Sequence, residues 1–190
     1  MNKHLNTKSM ILCAMFTALT AIGAYIRIPI PIIPFTLQFL FTMLAGLLLG
    51  GKLGSVSVIL YTALGLMGLP IFAEGGGLAY MLKPSFGYII GFCIGAFITG
   101  IIANKSPSPS YKRLLAANFT GLIIVYLLGM AYYWLISNFY LGTGIGLWPL
   151  FLYCFILAVP GDIVLCILAA ILAKRLIPVL SKYQSEVRFG

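Results

Sequence analysis

Acidic side chains are almost missing from this chain: Asp and Glu together number three in 190 residues, against twelve Lys and Arg and a single His. Charged residues of both signs make up 8% of the chain, where a soluble globule carries about 25%. A chain this poor in charge cannot coat itself for water. The sequence also lacks a metal-ligand cluster and a nucleophile–base pair. Its only histidine is His4, and the four cysteines (Cys13, Cys93, Cys154 and Cys166) stand alone inside apolar segments with no CxxC spacing. They read as small apolar fillers, and no catalysis or cofactor is expected. The turn GGKLGS at 50–55 is not a GxxxxGK[ST] loop, so ATP hydrolysis is not expected of this chain either.

What is present is apolar length. Hydrophobic residues are 62% of the chain and mean hydropathy is +1.09. Uncharged stretches cover Ser9–Ile26, Ile28–Gly51, Leu53–Ala73, Pro84–Asn104 and Leu114–Gly161. A membrane helix needs roughly 20 apolar residues. The pattern predicts an all-α integral membrane bundle of six spans in one domain, near 9–26, 36–51, 54–69, 85–103, 113–136 and 149–173. The segments are continuously apolar, without the alternation of a membrane barrel. The first is not a cleavable signal, because its apolar run reaches Ile26 with no polar region after it.

Charge sets the orientation. Ten of the twelve cations (Lys3, Lys8, Lys52, Lys105, Lys112, Arg113, Lys174, Arg175, Lys182 and Arg188) fall at one set of span ends; Arg27 and Lys83 fall at the other. Short loops rich in Lys and Arg stay inside. Both termini are therefore expected in the cytoplasm of a multi-pass cell-membrane protein. The net charge of +9 is a topology and lipid-headgroup signal, not one for nucleic acid. Asn104–Ser110 (NKSPSPS) divides the chain into two halves of three spans.

The outside loops are apolar and built from Gly, Pro and aromatics: Arg27–Phe35, Pro70–Pro84 and Ser137–Pro149. Irregular apolar backbone at this depth survives only when packed on protein or lining a cavity. Loops one, three and five are thus expected to cover a pocket that opens outward. Asp162 is the most costly residue of the chain. It precedes the cations Lys174 and Arg175 by about 18 Å of helix, in the outer half of the bilayer. Pro160-Gly161 breaks the helix before it and would put it in the first turn of a new one. Three roles stay open for it: acceptor for ligand N–H groups, structural cap or ion pair, and proton-coupling carboxylate. Further candidates on the outer side are Thr36, Gln38, Glu74, Tyr80, Lys83 and Tyr126. Asn118, lower in its span, reads as interhelical hydrogen bonding. Trp134, Tyr140 and Trp148 read as interface aromatics, and Arg27 as a cation reaching headgroups. Ala14 and Ala18 sit one turn apart on the first span, which suits close approach of another helix, inside the chain or from a partner.

The run PIPIIPFTLQFLFTMLAGLLLGGKLGSVSVILYTALGLMGLPIFAEGGG, with KPSFGYIIGF and VPGD after it, resembles the BioY family. These are the biotin-binding capture subunits (S components) of energy-coupling factor transporters. The resemblance spans about Met10 to Ala173. It implies six helices, a biotin pocket under loops one, three and five, and a complex with a transmembrane coupling subunit and two cytoplasmic ATPases. It maps ligand contacts to Thr36, Gln38 and Asp162, and the coupling-subunit docking face to Ala14 and Ala18. Many relatives carry Lys three residues after the Asp, where this chain has Leu165. Where relatives often have Gly before the Pro-Thr/Ser pair, it has Lys83, which is expected to supply a cation for the biotin carboxylate. The competing expectation is a stand-alone secondary transporter driven by protons through Asp162.

Overall fold

The computed structural model describes residues 7–28 and 35–185, with side chains through residue 180. Five helices in it are long and apolar enough to cross a membrane: Thr7–Tyr25, Gln38–Leu66, Phe86–Ala103, Tyr111–Tyr140 and Leu147–Leu180. We label the regular elements α1 (Thr7–Tyr25), β1 (Arg27–Ile28), β2 (Phe35–Thr36), α2 (Gln38–Leu66), α3 (Phe86–Ala103), α4 (Tyr111–Leu135), α5 (Leu147–Phe151) and α6 (Val159–Ser185).

The expected spans 36–51 and 54–69 both overlap α2, but α2 is not straight. Gly50 has φ 84 and ψ 169, which interrupts the helix in a region that glycine enters without steric cost. Gln38 Nε2 lies 2.6 Å from Tyr61 Oη, 23 residues on. A straight helix would hold those residues about 35 Å apart. The two limbs, 38–49 and 51–66, therefore run side by side. Gly54 makes this possible: a Cβ there would lie 2.6 Å from the Ala45 carbonyl oxygen.

Small residues bring the other helices together in the same way. A Cβ on Gly46 would meet the Ala96 carbonyl at 2.4 Å, and one on Gly91 the Val125 backbone at 2.8 Å. In lipid, where burial of apolar surface gives no drive between helices, this close van der Waals approach is what holds them. Polar side chains add hydrogen bonds between helices. Thr17 Oγ1 donates to the Ser57 carbonyl at 2.9 Å, joining α1 to the second limb of α2. Thr99 Oγ1 donates to the Ala117 carbonyl at 3.1 Å, joining α3 to α4. Fully buried Asn118 donates to the Cys166 carbonyl at 2.8 Å, joining α4 to α6, the bridging role expected for it.

The two ends of the bundle differ. At one end lie the Gly50 turn with Lys52, the α3–α4 loop with Lys105, and Lys174, whose ammonium donates to the Pro109 carbonyl at 2.8 Å. At the other end the loop after α2 is pinned by side chains from the helix tops. Tyr25 and Tyr132 hydroxyls donate to the Pro70 and Met81 carbonyls. Tyr61 donates to the Ile71 carbonyl at 3.0 Å. Arg27, expected to reach headgroups, is exposed and donates to the Ala73 carbonyl at 2.5 Å. Gly75 and Gly77 carry φ values of 116 and 94, the unusual backbone angles that the Gly75–Gly77 run allows.

The all-α expectation needs one small amendment. β1 and β2 pair antiparallel, Arg27 opposite Thr36 and Ile28 opposite Phe35. The prolines between them fall in 29–34, outside the described residues, so the first of the three expected cover loops is seen only at its flanks. The third cover loop is shorter than expected. The chain leaves α4 through a π-helical turn, Ile136–Tyr140, and is helical again from Leu147. Trp148 and Tyr140 are exposed there, as interface aromatics would be.

Candidate functional site

A cavity opens among the ends of α2, α3, α4 and the segment leading into α6. A few polar groups among apolar walls are the usual make-up of a small-molecule site. Five of the seven candidate ligand contacts line it: Thr36, Gln38, Tyr80, Tyr126 and Asp162. Glu74 and Lys83 are not among its lining residues. They pair with each other, Lys83 Nζ 3.2 Å from Glu74 Oε2 and 3.1 Å from the Glu74 carbonyl. The pair is half exposed at the edge of the cavity, with the ammonium 5.1 Å from the centre of the Tyr80 ring. A cation next to a carboxylate has less charge to offer a ligand, which the residue pattern around the loop glycines did not reveal.

Asp162 lies in the first turn of α6 and is 8% exposed. The irregular backbone is displaced from the expected break. It lies at the π-helical Leu152–Ile156, and Pro160 already belongs to the new helix, where its missing N–H costs nothing. Asp162 Oδ2 accepts from the Tyr126 hydroxyl at 2.6 Å. Its neighbour across the helix pair is thus a phenol of α4 rather than a cation. Among the described hydrogen bonds its second oxygen has no partner, and Asp162 lines the cavity. A charged hydrogen bond to that oxygen is worth more than a neutral one in a water-poor site.

Thr36 and Gln38 form a second polar group. Thr36 Oγ1 donates to Gln38 Oε1 at 3.1 Å, and Gln38 Nε2 donates to Tyr61 Oη. β2 places Thr36, and the start of α2 places Gln38 one residue after the turn at Leu37.

The remaining wall is aromatic. Tyr88 stands edge-on to Tyr126 with ring centres 5.9 Å apart, and Phe155 does the same at 5.4 Å. Tyr88 and Tyr153 line the cavity, together with Ser85 and Cys154, and none of the four was singled out from sequence as a ligand contact. For Tyr88 a signal existed: it is a polar-tipped side chain near the start of a largely apolar helix. Cys154, read as a filler, gave none. Ala14 and Ala18 lie near the middle of α1, both exposed, while Cys13, Phe16, Thr17 and Thr20 on the other face are buried. Of the two readings of that motif, contact inside the chain is not the one the structure has.

The family model described as the BioY family matches residues 1–182. A probable biotin transporter of Lysinibacillus sphaericus is 44% identical over 176 residues, covering 93% of this chain and 90% of that protein. A biotin transporter of Thermotoga maritima is 37% identical over 175 residues, covering 89% and 95%. The crystal structure of the S-component for biotin from an ECF-type ABC transporter superposes with a TM-score of 0.79 at 31% identity, covering 93% of this chain and 94% of that one. With matches of this length across both sequence and fold, the chain belongs to the BioY family.

Proposed function

We propose that this chain is the biotin-capturing subunit of an energy-coupling factor transporter, a transport protein and not an enzyme. The observation that carries the reading is the cavity: a buried carboxylate and an amide–hydroxyl pair set in aromatic walls, on a fold shared with a biotin S-component. Biotin offers ureido N–H donors, a carbonyl acceptor, an apolar thioether ring and a carboxylate tail. Asp162 accepts from a ureido N–H, with Tyr126 holding the carboxylate. Thr36 and Gln38 meet the rest of the urea edge. Tyr80 and the other aromatics wall the ring. Lys83, held over Tyr80 at the cavity edge, meets the tail only by sharing its charge with Glu74.

Six membrane crossings follow when the two limbs of α2 are counted separately. The end bearing Lys52, Lys105 and Lys174 faces the cytoplasm, as do both termini, and the cavity faces outside. The exposed Ala14–Ala18 face of α1 is the docking surface for the transmembrane coupling subunit, which brings two ATPases. Small exposed residues at membrane depth fit a helix partner better than lipid.

The competing proton-driven carrier would rely on Asp162. Its described partner is one tyrosine rather than a chain of titratable groups, which favours ligand binding over proton relay. Uptake separates the two. In proteoliposomes, accumulation of biotin is expected only with the coupling subunit, the ATPases and ATP all present. Accumulation by this chain alone under a proton gradient would overturn the reading.

A further inference from the structure

Tyr61 does not line the cavity and is fully buried, yet it is the polar link directly behind the wall. Its surroundings fix the direction of every hydrogen bond in front of it. A backbone carbonyl can only accept. The one phenolic proton of Tyr61 therefore goes to the Ile71 carbonyl at 3.0 Å. The phenol oxygen is left to accept, so the group it meets at 2.6 Å must be the amide nitrogen of Gln38. The amide oxygen then faces Thr36, whose hydroxyl donates to it at 3.1 Å.

The valences left over follow. Gln38 keeps one N–H, and Thr36, with its proton committed, keeps lone pairs. Both residues line the cavity. The wall thus presents a donor beside an acceptor in a set order. The carbonyl that starts this sequence is itself held in place. Phe72 packs edge-on to Tyr61 with ring centres 5.4 Å apart, in a seat open only because residue 65 is glycine: a Cβ there would lie 2.1 Å from the Phe72 ring.

We infer that Tyr61 is a positioning residue for ligand specificity, which locks the Gln38 amide so that Gln38 and Thr36 together read an edge where a C=O adjoins an N–H, as in a cyclic urea. The inference rests on the biotin reading given above. Without the phenol, nothing distinguishes the two ends of the amide. It can turn over, and the Thr36 hydroxyl turns with it.

The test uses the purified full chain and two probes. Biotin has a urea; 2-iminobiotin has a guanidinium that donates where the urea carbonyl accepts. Wild type is expected to prefer biotin. Tyr61→Phe is expected to weaken biotin by about tenfold, the scale of one mis-set buried hydrogen bond, and 2-iminobiotin by less than about threefold, so the preference falls. In a Gln38→Ala background, adding Tyr61→Phe should leave the preference unchanged, since Tyr61 acts through the amide. Equal losses for both probes in Tyr61→Phe, as from a merely structural role, would overturn the inference, and so would an unchanged preference. If Tyr61→Phe does not fold, Gln38→Glu carries the comparison, because it has no N–H to give Tyr61. A collapsed preference is expected there, and a retained one overturns the inference. A wild type that binds neither probe would contradict the biotin reading instead.

Discussion

Asp162→Asn is expected to weaken biotin binding by about tenfold or more. A hydrogen bond to a charged group contributes about 1.5–3 kcal/mol, and each 1.4 kcal/mol is a factor of about ten in affinity. The change is nearly isosteric, so it tests chemistry and not packing. Asparagine keeps one acceptor and gains an NH₂. The Tyr126 hydroxyl, 2.6 Å from Oδ2, holds one end of the group. If the amide oxygen stays on Tyr126, the NH₂ faces the cavity and opposes a ureido N–H. If it turns over, the NH₂ must face the phenol, which can accept but loses its own acceptor. Either arrangement leaves a donor unmatched. Titration of the purified variant should show the loss while its elution as a folded, monodisperse protein is unchanged. Unchanged affinity would remove Asp162 from the site.

The second large effect belongs to the exposed face of α1. Replacing both Ala14 and Ala18 with Trp is expected to abolish uptake by the full transporter while leaving biotin binding to the isolated subunit intact. Both alanines are exposed, with Met10, Ile11 and Met15 around them, whereas the face of α1 that packs inside the chain carries Phe16, Thr17 and Thr20. Two indoles can therefore be added without meeting another part of the subunit, but they prevent close approach of a partner helix. Co-purification with the coupling subunit should fail along with uptake. Retention of both would make the motif incidental, and loss of biotin binding as well would point to a role inside the fold.

Much of the architecture was legible because the bilayer constrains it. Lys52, Lys105 and the Lys112-Arg113 pair mark helix ends regardless of packing, and the Gly50-Gly51 pair between two apolar runs marked the turn in α2. What packs against what was not legible. A membrane helix is apolar on every side, so no amphipathic stripe announces the buried face of α1 or α3. The same limit applied at the site. Depth along the helix brought Asp162 and Tyr126 to a similar level, but only the crossing of α4 and α6 sets them 2.6 Å apart. Lys83 was a good cation by position, yet the loop glycines fold Glu74 back onto it, a contact nine residues apart that no helical or strand period encodes. Tyr61 was invisible as a functional residue because its role depends on a carbonyl ten residues away in a loop.

The most direct measurement is a titration of biotin into the purified chain, with no coupling subunit or ATPase present. Saturable binding near one biotin per chain is expected, competed by 2-iminobiotin only at higher concentration and reduced in Asp162→Asn. A folded, monodisperse protein that takes up no biotin, or that binds it only when the coupling subunits are added, would contradict the assignment of the cavity as the capture site.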